Sequence, residues 1–180
     1  MLVSSTRTRK LAVSALLVFA VGCSGNSDAT SSGAALTADG PGGTLSYSDV
    51  KVGQIYRMAF PLMKNTSKKP VSVTGVRVRS VPTGVAVLGY FVYSVKDTPG
   101  YRLGYQDSNH KGGPDLDKYP NYAGHPFIIK PGVLSDKYAM VHLRVTGKVS
   151  KRITGCEVDY TQAGHSYQQT LACTFGFDMK

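Results

Sequence analysis

Between Gln54 and Leu62 every second position is apolar: Tyr56, Met58, Phe60 and Leu62. A period of two puts these side chains on one face of a strand. The alternation recurs in Tyr138 to Val145, where Ala139, Val141, Leu143 and Val145 form the inward set. Within Val71 to Val81 the apolar parity switches at Gly75, from Val71 and Val73 to Val76 and Val78. A glycine at a parity switch predicts a β-bulge. Val85 to Val95 is nearly all apolar, which predicts a central strand covered on both faces. Leu45 to Val52, Pro126 to Lys130, Arg152 to Tyr160 and Tyr167 to Phe177 complete about eight short strands, with "KNTSKKP" turning the chain after Leu62. No 3.6-residue apolar period lasts the roughly 10–12 residues a helix needs.

The N-terminus departs from this pattern. Arg7, Arg9 and Lys10 precede an uncharged run, Leu11 to Val21. A basic stretch followed by an apolar core of about 7–15 residues is the layout of a secretory signal. The run is shorter than the roughly 20 apolar residues that span a bilayer. It ends in Phe19-Ala20-Val21-Gly22-Cys23. This resembles the lipobox of bacterial lipoproteins, with Ala20 where leucine is commoner. The resemblance implies that residues 1–22 are removed, that Cys23 carries a diacylglycerol, and that the protein is extracytoplasmic and anchored to the cell membrane. Two acyl chains suffice for stable anchoring. Ser24 and the Ser/Gly/Ala/Thr-rich stretch after it resemble lipoproteins of high-GC Gram-positive bacteria. Residues 23–43 hold too little apolar surface to fold and are expected to form a flexible linker.

Residues 44–180 then read as one all-β domain, long enough for one core. The strand pattern suits a two-sheet antiparallel β-sandwich. "FPLMKNTSKKPVSVTGV" resembles the start of bacterial Ig-like lipoprotein domains, where an Asn-containing turn links two early strands. That resemblance makes the expected fold an Ig-like sandwich and says nothing of function.

Charge changes the picture little. The whole chain carries +10, and removing residues 1–22 takes away Arg7, Arg9 and Lys10 and no acid, leaving +7. This favours anionic headgroups or anionic wall polymers. After the signal no basic run exceeds two residues, and a secreted location argues against nucleic acid. Glu157 is the single glutamate, and no nucleophile elbow, zinc-protease helix or phosphate loop is present. A non-catalytic protein without a cofactor is the expectation.

Of three cysteines, Cys23 is taken by lipid, leaving Cys156 and Cys173. If Gly164 and His165 form a two-residue turn, Cys156 faces Cys173 across a hairpin, in a closely spaced non-hydrogen-bonded pair. Secretion makes a disulfide chemically plausible. No Cys-x-x-Cys or adjacent base points to redox work.

The remaining anomaly is Lys96 to Gly124, far longer than an ordinary connection. Tyr101, Tyr105, Tyr119 and Tyr122 sit there among Gly, Pro, Asp and Asn, the palette of adaptable binding loops. Arg102, Lys111 and Lys118 favour an anionic partner. Two readings stand: a loop that binds a surface protein, peptide or wall polymer, with Tyr101, Arg102, Tyr105, Tyr119 and Tyr122 as contacts, or an excursion whose tyrosines pack back on the sandwich. Asp107, Asn109, Asp115 and Asp117 offer oxygen ligands for calcium, without EF-hand spacing. Met140 and His142, two apart on an outward strand face, offer a soft-plus-imidazole pair for copper, or packing under a loop.

Overall fold

A computed structural model of the chain describes residues 30–39, 43–98 and 115–179, and the backbone of 105–107. Twelve strands occur among the described residues: β1 (Ser31–Ser32), β2 (Leu36–Ala38), β3 (Thr44–Ser48), β4 (Ile55–Ala59), β5 (Met63–Asn65), β6 (Val71–Val78), β7 (Val85–Ser94), β8 (Tyr105–Asp107), β9 (Phe127–Ile129), β10 (Lys137–Val145), β11 (Ile153–Gln162) and β12 (His165–Asp178). A short 3-10 turn spans Leu116–Lys118. The protein is all-β, as the alternation predicts. The count exceeds eight because short strands patch the edges.

Two sheets face each other. One has the order β1-β12-β11-β6-β9, with β3 also paired to β12. The other runs β7-β10-β4-β8. β2 and β5 form a small separate pair. The main core lies between the sheets, where Tyr56, Met58 and Phe60 meet Ala139, Val141, Leu143 and Val145 from β10, with Val158, Phe175 and Phe177 opposite. The period-two reading of β4 and β10 therefore assigns the inward faces correctly. Leu62 leaves this core and joins a second cluster with Tyr93, Leu116, Tyr138 and Met140.

The bulge at Gly75 is present. Asp159 pairs with Gly75 and Tyr160 with Val73, so Thr74 is the extra residue and the buried parity changes there.

Three expectations are corrected. The sheets are not purely antiparallel, because β1 and β3 both run parallel to β12. Both are far from β12 in sequence, so no hairpin connects them to it. Next, β7 is an edge strand among the described residues, where it pairs only with β10. Its apolar run reflects burial of both faces over Val92–Ser94, and does not mark a central position. Finally, the flexible linker does not extend to residue 43. Gly33 N donates to Gln168 O at 2.8 Å, Ala35 N to Tyr160 Oη at 3.1 Å and Leu36 N to Gln169 Oε1 at 3.0 Å. Ala35 and Leu36 are buried in the core. Strand addition satisfies backbone groups whatever the side chains, so a Ser/Gly/Ala/Thr composition did not reveal it.

Cys156 and Cys173 form a disulfide, with Cα atoms 5.7 Å apart. The register differs from the expected one. Gln162 pairs with His165, so the turn is Ala163–Gly164, with φ of 52° and 82°. Two positive φ values make a primed turn, whose twist matches the strands it joins. Cys156 then pairs with Leu171, and Cys173 is reached diagonally across a register shift at Gly155, where φ is 84°. Cys23 and the signal lie outside the described residues.

Candidate functional site

The excursion begins and ends at one clamp. Tyr122 Oη donates to Asp97 Oδ2 at 2.7 Å, and Lys137 Nζ lies 4.7 Å from the centre of the Tyr122 ring. The bond to Asp97 pushes the Tyr122 phenol above its ordinary pKa. Between these ends, Tyr105–Asp107 adds β8 to the edge of β4. Farther on, Asp115 caps the 3-10 turn, accepting from Asp117 N at 3.2 Å. The turn inserts Leu116, fully buried, against Tyr93, Tyr138 and Met140. Asp117 holds Arg57 through both carboxylate oxygens, at 3.0 and 2.9 Å. The segment Asp115–Tyr119 thus covers the outer face of the four-stranded sheet.

Met140 and His142 lie under that cover. Met140 is fully buried and His142 nearly so. The His142 ring stacks on Phe91, with centroids 3.7 Å apart and 15° between planes. Gly89, opposite His142 in the ladder, leaves the space into which the Phe91 ring leans. Burial lowers the His142 pKa to about 4, and the nearby Arg57 cation pushes the same way while Asp117 opposes it. Burial likewise pushes the Tyr93 phenol up to about 12. This is a dry aromatic layer, and the packing reading of Met140 and His142 describes it.

Only part of the sequence-derived set falls among the described residues. Tyr119 packs against the outer cluster and Tyr122 closes the excursion. Tyr101, Arg102 and Asn109 lie outside the described residues, as do the side chains of Tyr105 and Asp107. Asp115 and Asp117 are engaged as cap and ion-pair partner. Among the described residues no three His, Cys, Asp or Glu side chains converge to hold a metal. Glu157 is bound by Arg77 at 2.8 Å on the outer face of the larger sheet.

Where the excursion returns, a cleft opens. Among the described residues β9 covers β6 only over Val71–Val73, and the second sheet ends at β7. Beyond Val73 both sheets present strand edges, and Asn121–His125 bridges them. The cleft holds about 250 Å³ and is lined by Val73–Val76, Tyr90, Val92, Tyr122–His125 and Phe127. Asn121 Oδ1 accepts from Val92 N at 3.0 Å, and Tyr122 N donates to Val92 O at 2.8 Å. The backbone groups of Val92 therefore point away from β10. By the alternation of a strand, those of Tyr90 point the same way, into the cleft. The Tyr90 hydroxyl accepts from Val78 N at 3.2 Å, which fixes the ring as one wall. Sequence reasoning found Tyr122 but not the cleft, because its other walls come from strands that read as core. Nothing in the β7 sequence marks this strand as an edge.

No family model matches the chain, and no curated protein matches it. Among solved structures, the chain is similar to the Vibrio cholerae VesB protease at a TM-score of 0.35 and 13% identity, over 78% of this chain and 31% of that one. A likeness at that level assigns neither a family nor an activity. No helix among the described residues is long and apolar enough to cross a membrane.

Proposed function

We propose that this is a lipid-anchored, non-catalytic binding module on the outer face of the cell membrane. Its recognition site is the cleft between β6 and β7, and its partner is an extended segment of a surface polypeptide. The observation that carries the reading is an apolar cleft of about 250 Å³ between two strand edges, with the Tyr90 backbone turned into it. Such an edge offers main-chain hydrogen bonds to an added strand, while the adjoining pocket takes a side chain. Tyr122 and Tyr90 supply rigid aromatic walls at low entropic cost. The lipobox at Cys23 supplies the anchor, and the disulfide suits an extracytoplasmic location.

Surface cross-linking followed by pull-down from the native host tests the module. The wild type is compared with Val76→Arg, which fills the cleft, and with Tyr122→Ala, each first shown to be folded by circular dichroism. A polypeptide captured by the wild type and lost from both variants is expected. Equal capture by Val76→Arg would remove the cleft from recognition. Intact mass of the membrane-extracted protein reads the anchor separately, through lipid on Cys23 and its loss in Cys23→Ala.

A further inference from the structure

The described chain begins at one pole of the sandwich. Ser31 pairs with Tyr167, beside the Ala163–Gly164 turn of the β11–β12 hairpin. Three further segments meet at this pole. Gln162 Nε2 donates to Ser67 Oγ at 2.6 Å and to Lys69 O at 3.0 Å, tying the turn after β5 to the hairpin. Asn65 Nδ2 donates to Lys69 O and to Ile129 O, at 2.8 and 2.9 Å, drawing in the end of β9. Gly132 N donates to Asn65 O at 2.8 Å, which adds the turn after β9.

The chemistry of this pole is mainly basic. Lys64, Lys68, Lys69 and Lys130 are all exposed. None of the four enters an ion pair among the described residues. Residues 30–38, 62–71, 127–135 and 161–169 contain no aspartate or glutamate, and Asp39 and Asp136 follow directly on two of these stretches. Beside the lysines stand two outward apolar side chains, Ile128 at 66% and Val133 at 48% exposure. The pole opposite carries Arg79, Lys148, Lys151 and Arg152 with Asp49 and Asp178, so charge alone does not choose between the two.

Position selects between the poles. Cys23 and Thr30 are seven residues apart. Even fully extended, that length reaches only about 25 Å. A lipid on Cys23 therefore keeps the lysine pole next to the headgroups. The linker first expected to run to residue 43 would have left the orientation free.

We infer that the pole formed by Lys64, Lys68, Lys69 and Lys130 with Ile128 and Val133 docks on the anionic lipid surface of the membrane. For its orientation this rests on the anchor reading above. The lysines contact anionic headgroups, each raising the preference for an anionic surface by roughly five-fold. Ile128 and Val133 enter the interfacial region. The module is then held upright, with the cleft on its flank rather than against the lipid.

The chain has no tryptophan, so a single introduced one reports alone. The full-length protein extracted from membranes is placed in phosphatidylglycerol or phosphatidylcholine vesicles as Val133→Trp, with Ile128→Trp as a second reporter. Val81→Trp reports the far pole, since Val81 is exposed there. Expected is a blue shift for both near-pole reporters in phosphatidylglycerol only. It should be lost at about 1 M salt, where the Debye length is ~3 Å, and in the Lys68→Glu/Lys69→Glu/Lys130→Glu background. The far-pole reporter should stay silent. No shift, an equal shift in phosphatidylcholine, or an equal shift at Val81 would overturn the docking. Mass of the same samples reads Cys23. Lipid present with no shift defeats docking and leaves the anchor standing. Lipid absent with a phosphatidylglycerol-dependent shift defeats the anchor and leaves docking standing.

Discussion

Asn65, the last residue of β5, is fully buried and uses its whole side chain. Its amide donates to Lys69 O and Ile129 O, while its Oδ1 accepts from Ser67 N at 2.9 Å and Ser67 Oγ at 2.7 Å. Asn65→Ala removes the donor to the buried Ile129 O and the acceptor of Ser67 N, and each such loss costs about 1–3 kcal/mol. Urea unfolding should show Asn65→Ala less stable by about 2–4 kcal/mol. His142 carries the opposite lesson, since it is buried neutral with Nε2 lacking a hydrogen-bond partner among the described residues. Its pKa falls from 6.5 to about 4 on folding. The unfolded chain thus binds the proton more readily, and stability drops as pH falls through the window between those values. His142→Phe keeps the stack on Phe91 and removes the proton site. Its melting temperature should fall less between pH 7 and pH 4 than that of the wild type, by on the order of 5 °C. Equal pH dependence in the two proteins would show that His142 is not the group responsible.

At the scale of elements, β1 and β2 act as a strap across the larger sheet and β5. Gly33 lies between them, against the ring of Tyr160, and a Cβ there would collide with that ring. Gly33→Ala should release the strap, and protease should then cut within residues 30–38 while the sandwich stays intact. An unchanged digestion pattern by mass spectrometry would count against this. The elements also show what was legible in the sequence. The inward faces of β4 and β10 and the bulge at Gly75 follow from local alternation, because each side of a strand meets one environment. The disulfide was legible from hairpin symmetry, although the turn was displaced by one residue onto Ala163–Gly164. The edge position of β7 and the parallel pairings of β12 were not, because they depend on partners far away in sequence. Tyr122 was legible as an anomaly in composition. The cleft beside it was not, since Val76, Val92 and Phe127 carry the same pattern whether they face core or opening.

For the whole molecule, the sandwich separates three tasks. One pole bears the lysines, one outer face is sealed by the returning excursion, and one flank is left open as the cleft. Deleting the excursion would strip Leu116 and Tyr119 from the outer cluster as well as alter the cleft, so point variants separate these effects where loop replacement would not. The topology sets a further condition. β12 stands between β11 on one side and β1 and β3 on the other. β12 therefore leaves the ribosome after both of its N-terminal partners, β1 and β3. Ser31 must find Tyr167, and Thr44 must find Thr174. Pairings so distant in sequence form slowly. A chain stopped after Gly164 lacks β12 and should be digested throughout residues 30–48, whereas the full chain should resist there. β1 and β3 thus stay open, unpaired by the larger sheet, until β12 has been made and arrives to close over them.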